Sequence, residues 1–134
     1  MSKPNKTLWK KLVLQGAKEW NAYRLEHPGA APDLSGLDLS SERLAGMNLA
    51  HANLEDANLA MSDLAGADLT SARLKNANLA RADLEGAILA QADLEGASLF
   101  AAFIAETDFS GANLANANLF AARTKMIDPE AAGD

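Results

Sequence analysis

The chain has no cysteine, only 5% aromatic residues, and no long apolar run. The missing cysteine excludes disulfides, thiol catalysis and cysteine metal sites. A membrane span needs about 18 or more consecutive apolar residues, and the N-terminus has no apolar stretch that ends in a small-residue cleavage site. We therefore expect one cytoplasmic domain without membrane association, whose core is built from Ala and Leu.

A five-residue unit repeats along most of the chain without insertion. Stepping by five from Leu34 to Leu119 gives eighteen centres, of which sixteen are leucine and two are Ile104 and Phe109. Twelve of the residues two positions before a centre are alanine, and thirteen of those one position before are Asn or Asp. Three columns therefore recur in register across the region.

A period of five fits neither a helix nor a straight strand. On an α-helix, successive centres would be offset by about 140° and would spread around the axis. On a straight strand, an odd period sends alternate leucines to opposite faces. We therefore expect the chain to bend once per repeat, so that every leucine points inward in a stack of coils.

The runs Ala52-Asn53-Leu54-Glu55-Asp56 and Ala57-Asn58-Leu59-Ala60-Met61 resemble the pentapeptide repeat proteins. The resemblance covers residues 33–121. It implies an all-β solenoid, a right-handed quadrilateral parallel β-helix of about four to five coils, with four repeats per coil. It also implies that the central residue and the alanine are both buried.

The predicted core consists of the repeat centres from residue 54 onward. Alanine in the second inward column keeps the interior narrow, and the centres fill it at high density. The Asn or Asp before each centre can bind nearby main-chain groups at a bend. The predicted core residues are Leu54, Leu59, Leu64, Leu69, Leu74, Leu79, Leu84, Leu89, Leu94, Leu99, Ile104, Phe109, Leu114 and Leu119.

Residues 1–31 have a different composition, with net positive charge and both tryptophans. Apolar residues recur at helical spacing from Thr7, a plausible N-cap, to the His27-Pro28-Gly29 stop. A basic amphipathic helix could bind a membrane surface or a partner. We favour a lid over the open first coil of the solenoid, with Trp9, Leu12, Val13, Gly16, Trp20 and Tyr23 on its inner face.

The first coil departs from the repeat in a way that supports a lid. Its alanine column holds Pro32, Leu37, Glu42 and Met47, which are too large for a narrow interior. An inward carboxylate is unfavourable unless it is hydrogen-bonded. We expect Glu42 to reach toward the helix or its connection, with a tryptophan N–H or Asn21 as donor. The predicted domains are 1–31 for the cap, 32–123 for the repeats and 124–134 for a tail.

Outward positions twenty residues apart should lie directly above one another. One column pair alternates acid, base and acid, as in Glu55, Lys75 and Glu95, which indicates a stacking ladder and not a site. A second face carries the acidic residues Asp63, Asp83, Glu85 and Glu106. Some pentapeptide repeat proteins resemble duplex DNA and bind type II topoisomerases such as gyrase. The net charge of −6 agrees with that, but four carboxylates are far fewer than duplex DNA presents over a similar length.

A third face is apolar near the end of the repeats. Met61, Phe100 and Phe120 point outward by register, and Phe103 lies just around the corner. An exposed apolar patch of this kind favours contact with another segment or another molecule. We expect either the tail, through Met126 and Ile127, or a second copy that binds the C-terminal end or the apolar face.

Residues with chemistry are scattered. His27 and His51 are isolated, and the repeat glycines fall at its turn position and not in a phosphate-binding loop. We therefore expect no enzymatic activity, no catalytic residue, no cofactor and no metal. The expected function is a structural or protein-interaction module with an unidentified protein partner and no direct nucleic-acid binding. The alternative is a DNA-mimicking regulator of gyrase or a related type II topoisomerase.

Overall fold

The computed structural model describes residues 4–125. Two α-helices come first, α1 (Lys6–Val13) and α2 (Ala17–Glu26). Helix α1 begins after Asn5, whose side chain accepts a hydrogen bond from the Leu8 N–H at 2.9 Å, so the N-cap is not Thr7. The prediction of one continuous helix with Gly16 on its inner face is wrong. Gly16 precedes α2 with a φ of 102°, which only glycine adopts easily, and this bends the chain between the two helices.

The repeats wind into coils of twenty residues. Fifteen parallel bridges, from Asp33↔Asn53 to Phe103↔Arg123, each join residues twenty apart. Four bridge positions, five residues apart, follow one another in each coil, so a coil has four short sides. No bridge extends into a longer strand within residues 4–125. The backbone hydrogen bonds therefore join each repeat to the one four repeats further along the chain.

A turn joins each side to the next. At a typical corner the Ala52 N–H donates to the Leu49 carbonyl at 3.1 Å. The third residue of this turn, His51, has a φ of 63°, and the fifth residue of all eighteen repeats is in the same left-handed region. Six of the eighteen are glycine and twelve are not. A positive φ at this position alone makes the corner a type II turn.

The Asn and Asp residues before the centres stabilise these corners. Oδ1 of Asn78 accepts a hydrogen bond from the Ala80 N–H at 3.0 Å, and the same bond recurs in all thirteen repeats with Asn or Asp at this position. At the same position of another repeat, the Ser98 hydroxyl oxygen accepts the Phe100 N–H at 3.4 Å. The column is polar because its side chain closes a local ring with the backbone.

The interior contains leucine and alanine. Every centre from Leu34 to Leu99 is at most 1% exposed, and the alanines of the inner column between Ala52 and Ala102 are equally buried. The last centres differ. Ile104, Phe109 and Leu114 are partly buried, and Leu119 is 37% exposed. The prediction that Leu119 belongs to the core is therefore wrong. No coil of the described chain stacks on this residue. The predicted cover residues Met126 and Ile127 lie outside the described residues.

The helices pack on the first coil. Trp9, Val13 and Trp20 are buried and belong to the same apolar cluster as the coil leucines. Leu12 and Tyr23 pack at its edge. The Trp9 ring lies 5.7 Å from Trp20 and 5.5 Å from Tyr23, measured between ring centroids.

The predicted hydrogen bond to Glu42 from Trp20 or Asn21 is wrong. Its two expected donors bind backbone instead: Trp20 Nε1 donates to the Asn48 carbonyl at 2.6 Å, and Asn21 Nδ2 donates to the Gly46 carbonyl at 3.0 Å. The Asn21 Oδ1 also accepts the Asn48 N–H at 2.7 Å. In the next coil, the carbonyl equivalent to that of Asn48 accepts a backbone N–H of the coil before it. The first coil has no such earlier coil, so the Asn48 carbonyl accepts from the helix.

Candidate interaction surface

One side of the solenoid is uncharged over most of its height, and we call it the neutral face. It comprises the outward residues of the repeats that begin at residues 57, 77, 97 and 117. These residues lie in three columns: Asn58, Asn78, Ser98 and Asn118; Ala60, Ala80, Phe100 and Phe120; and Met61, Arg81, Ala101 and Ala121. No Asp or Glu occurs among them, and Arg81 is their one charge.

Two of the large apolar side chains of the neutral face are exposed, and Phe100 is half-buried. Phe120 is 73% exposed and Met61 is 58% exposed. The Phe100 and Phe120 rings stack along the coil axis with centroids 6.0 Å apart and planes inclined by 14°. The Arg81 guanidinium lies 5.7 Å from the centroid of Phe100. The predicted residues Met61, Phe100 and Phe120 therefore share one side, as a short ridge at one end and a lone methionine at the other.

Phe103 lies on the neighbouring side, as expected from the register. The Arg123 guanidinium lies 5.9 Å from the centroid of its ring. Arg81 and Arg123 are absent from the predicted surface. The signal for Arg123 was present in the sequence, because residues twenty apart share a column and Arg123 follows Phe103 by twenty.

The acidic residues form a broken strip beside this face. Asp63 and Asp83 are bridge partners, and the Oδ1 of each accepts a backbone N–H of its own repeat at 3.0 Å. Their column continues to Arg43 at one end and to Phe103 and Arg123 at the other. Cations thus limit the negative charge of this column on both sides.

The other two predicted acidic residues lie at the same corner of the coil, in the turns closed by the Leu84 and Ile104 carbonyls. Glu85 and Glu106 are both exposed and are separated by one coil level. Both extend the strip sideways, and Glu106 also adds one level along the axis. The four carboxylates therefore lie together on one side of the molecule without forming a continuous line.

Another charged side is a stacking ladder. Asn53, Arg73 and Asp93 follow one another through parallel bridges. Arg73 Nη2 forms an ion pair with Glu55 Oε1 at 2.6 Å, across two columns. Exposed pairs of this kind contribute only a fraction of a kcal/mol each. This side stabilises the register of the coils.

The shifted titrating groups have structural causes. A hydrogen bond from the Ser35 hydroxyl lowers the pKa of Asp33, and Ser40 and Ser110 lower the pKa of Asp38 and Asp108 in the same way. Burial lowers the pKa of Arg24, although the charge of Asp68 opposes the shift. In residues 4–125, no three His, Asp or Glu side chains are grouped closely enough to hold a metal ion. Neither α1 nor α2 has the length and apolar character needed to cross a bilayer.

Comparison with known protein families gives a match over the middle of the chain. The family model described as pentapeptide repeats, in eight copies, matches residues 62–100 and 77–116. No curated protein matches the chain.

Solved structures similar to this one are themselves pentapeptide repeat proteins. Rfr23 from the cyanobacterium Cyanothece 51142 is 35% identical, with a TM-score of 0.64 over 64% of this chain and 58% of its own. HetL from Nostoc sp. strain PCC 7120, involved in heterocyst differentiation regulation, is 36% identical, with a TM-score of 0.63 over 65% of this chain and 42% of its own. A protein of the Arabidopsis thaliana thylakoid lumen is 27% identical, with a TM-score of 0.57 over 81% of this chain and 77% of its own. The chain thus spans less than two thirds of Rfr23 and of HetL.

Proposed function

This chain belongs to the pentapeptide repeat family, and from that premise we propose that it is a non-enzymatic module that binds another protein through the sides of its coils. The exposed aromatic and apolar residues of the neutral face carry this proposal, because exposed apolar patches on a folded domain favour protein contacts. HetL, a structural neighbour with a regulatory role, supports it.

The inner side chains have no part in such binding. The coil interior consists of leucine and alanine packed on one axis, and the recurrent polar column of the repeats is engaged in its own turns. Recognition therefore depends on the outward columns, which differ from side to side. A rigid support of this kind presents a partner with a preformed surface, which lowers the entropy lost on binding.

The finer architecture belongs to the same proposal. We infer a right-handed quadrilateral parallel β-helix over residues 32–123, which α1 and α2 close at its first coil as a cap over residues 1–31. The predicted tail, 124–134, lies outside the described residues from 126 onward. A cytoplasmic location, with protein partners and neither a membrane nor a nucleic acid, completes the proposal.

DNA mimicry towards gyrase is the second candidate, and its specific support is the acidic side with Asp63, Asp83, Glu85 and Glu106. The column geometry weakens it, because Arg43 and Arg123 flank the two aspartates. Duplex DNA carries about one charge per 1.7 Å of axis, far more than this strip. A gyrase supercoiling assay at micromolar protein decides the question: inhibition or quinolone protection supports mimicry, and no effect removes it.

Capture of partners from the native host tests the main proposal. The tagged protein is compared with the double variant Phe100→Ser/Phe120→Ser and with Ile88→Ser, a matched control on the opposite side whose native side chain is 39% exposed. We expect a protein that the wild type and Ile88→Ser retain and the double variant loses. Equal recovery with all three proteins contradicts a role for the neutral face.

A further inference from the structure

We propose that a second copy of this chain packs on the neutral face with the two coil axes antiparallel. The twofold axis runs across the face, halfway between the levels of Ala80 and Phe100. This inference deepens the proposed interaction role by naming one partner. Such an axis places each outward column against the same column of the partner, running in the opposite direction.

Charge selects the neutral face for contact between identical chains. The net charge is −6, so identical copies repel each other over most of their surface. The four repeats of the neutral face contain no acidic residue. Contact there brings together the part of the surface where this repulsion is smallest. The Asn and Ser column is neutral, and its amide Nδ2 groups can donate to the other copy although each Oδ1 already accepts a bond in its own turn.

Side-chain size selects the antiparallel direction. Along one column the residues at four successive levels are Ala60, Ala80, Phe100 and Phe120. Reversal of the partner places Phe120 against Ala60 of the partner subunit and Phe100 against the partner's Ala80. The ridge of stacked phenylalanines on each copy then fills the low half of the other.

The neighbouring column is also complementary to itself, but its large side chains lie at the opposite end. Its residues are Met61, Arg81, Ala101 and Ala121, so the large side chains are in the other half of the face. Met61 would face the partner's Ala121, and Arg81 would face the partner's Ala101. Arg81 would then lie beside the partner's Phe100 as well as its own, where a guanidinium is favoured by an aromatic ring. A parallel pair would instead put large side chains at the same level as large ones.

The rims of the face are also complementary. On one rim, Lys75 would face Glu95 of the partner subunit, and Glu95 would face the partner's Lys75. On the other rim, Asp63 would face the partner's Arg123, and the symmetry repeats this pair. Four attractive pairs therefore surround the apolar centre in the antiparallel arrangement. Rim pairs contribute more to orientation and specificity than to affinity.

The area of the neutral face limits the expected affinity of the dimer. Four levels about 4.8 Å apart and a side of five residues bound a flat area of roughly 300 Å². A standard interface buries about 800 Å² per partner. We therefore expect a weak dimer that dissociates on dilution below about 100 µM, and not a permanent one.

Disulfide trapping tests the geometry, because the chain has no cysteine of its own. The variants Met61→Cys and Ala121→Cys are oxidised separately and as an equal mixture, and intact masses identify the products. We expect a mixed disulfide with one chain of each variant. Two copies of the same variant should link poorly, because their cysteines would lie three levels apart, about 14 Å along the axis. Linked pairs of Ala121→Cys alone would show end-to-end contact and overturn the proposal, as would the absence of a mixed product.

Charge exchange at the rim provides an independent test. Lys75→Glu and Glu95→Lys each turn two attractive contacts into repulsive ones, whereas the double variant restores both. Sedimentation equilibrium up to about 500 µM should show a dissociation constant raised about tenfold by each single change and recovered in the double variant. An unchanged dissociation constant in the single variants overturns the proposal. A monomer at all concentrations also overturns it but leaves the proposed function standing, since that depends on capture of a different protein.

Discussion

The indole Nε1 of Trp20 donates a hydrogen bond of 2.6 Å to the carbonyl oxygen of Asn48. Arg24 adds two more donors, from Nη1 to the same carbonyl at 3.0 Å and from Nη2 to the Ala50 carbonyl at 2.8 Å. In the next coil, the equivalent carbonyl of Asp68 accepts the backbone N–H of Leu49 at 2.7 Å. Side chains of α2 thus take the place that backbone donors of an earlier coil would hold.

Replacement of Arg24 by methionine should destabilise the protein. Arg24 is 5% exposed, so the Ala50 carbonyl would lose its donor in a place that water reaches poorly. We expect the free energy of unfolding to fall by roughly 1–3 kcal/mol in a denaturant titration. Lys18→Met, on the exposed side of α2, is the control and should change it by less than about 0.5 kcal/mol. Equal unfolding midpoints for the two variants would contradict an anchoring role for Arg24.

Truncation of Leu79 and of Leu119 should have very different effects. Leu79 is fully buried in the middle of the solenoid, whereas Leu119 is 37% exposed in the last coil. Leu79→Ala leaves a cavity and should lower the free energy of unfolding by about 2–5 kcal/mol. Leu119→Ala removes the same atoms from a partly solvated site and should cost less than about 1.5 kcal/mol. Chemical denaturation measures both, and similar losses would show that the last coil is as well packed as the middle.

Glycine at position 101 should stabilise the fold. Ala101 has a φ of 56°, a left-handed conformation that costs a residue with a Cβ about 1 kcal/mol. Ala101→Gly relieves this strain, and we expect a gain of roughly 0.5–1 kcal/mol in the free energy of unfolding. The matched change Ala97→Gly, at a fully buried inner position, should lower it by about 1 kcal/mol. A loss of stability with Ala101→Gly would count against strain at the turn.

The sequence predicted what the five-residue period controls. The inward columns follow from one local rule that is repeated eighteen times, so the amino-acid pattern alone is enough to predict them. Four repeats per coil came instead from the resemblance to the pentapeptide repeat proteins. The helical segment has no such repetition. Gly16 breaks it because of one backbone angle, and Arg24 is buried although arginine usually faces water. Its spacing of four residues from Trp20 would have placed it on the inner face of α2. The partners of Glu42 and Trp20 depend on how α2 docks, which no local pattern encodes.

The hydroxyl of Ser35 should make Asp33 more acidic than an ordinary aspartate. Ser35 donates to Asp33 Oδ1 from its hydroxyl at 2.7 Å and from its backbone N–H at 3.1 Å. These bonds favour the carboxylate, and they lower its pKa from the usual 3.8. A lowered pKa in the folded state means that the ionised group stabilises the fold above pH 3.8. That contribution is lost as the pH falls through the folded-state pKa.

Carboxyl NMR titration measures this shift directly. Ser35→Ala removes the hydroxyl and leaves the backbone bond, so the pKa of Asp33 should rise part of the way towards 3.8. Ser40→Ala, which removes the equivalent hydroxyl beside Asp38, is the control and should leave Asp33 unchanged. Asp33→Asn keeps an oxygen that can accept the backbone N–H but no longer titrates. The free energy of unfolding of this variant should therefore depend less on pH below about 4 than that of the wild type. An identical pKa for Asp33 in the wild type and in Ser35→Ala would show that the hydroxyl does not cause the shift.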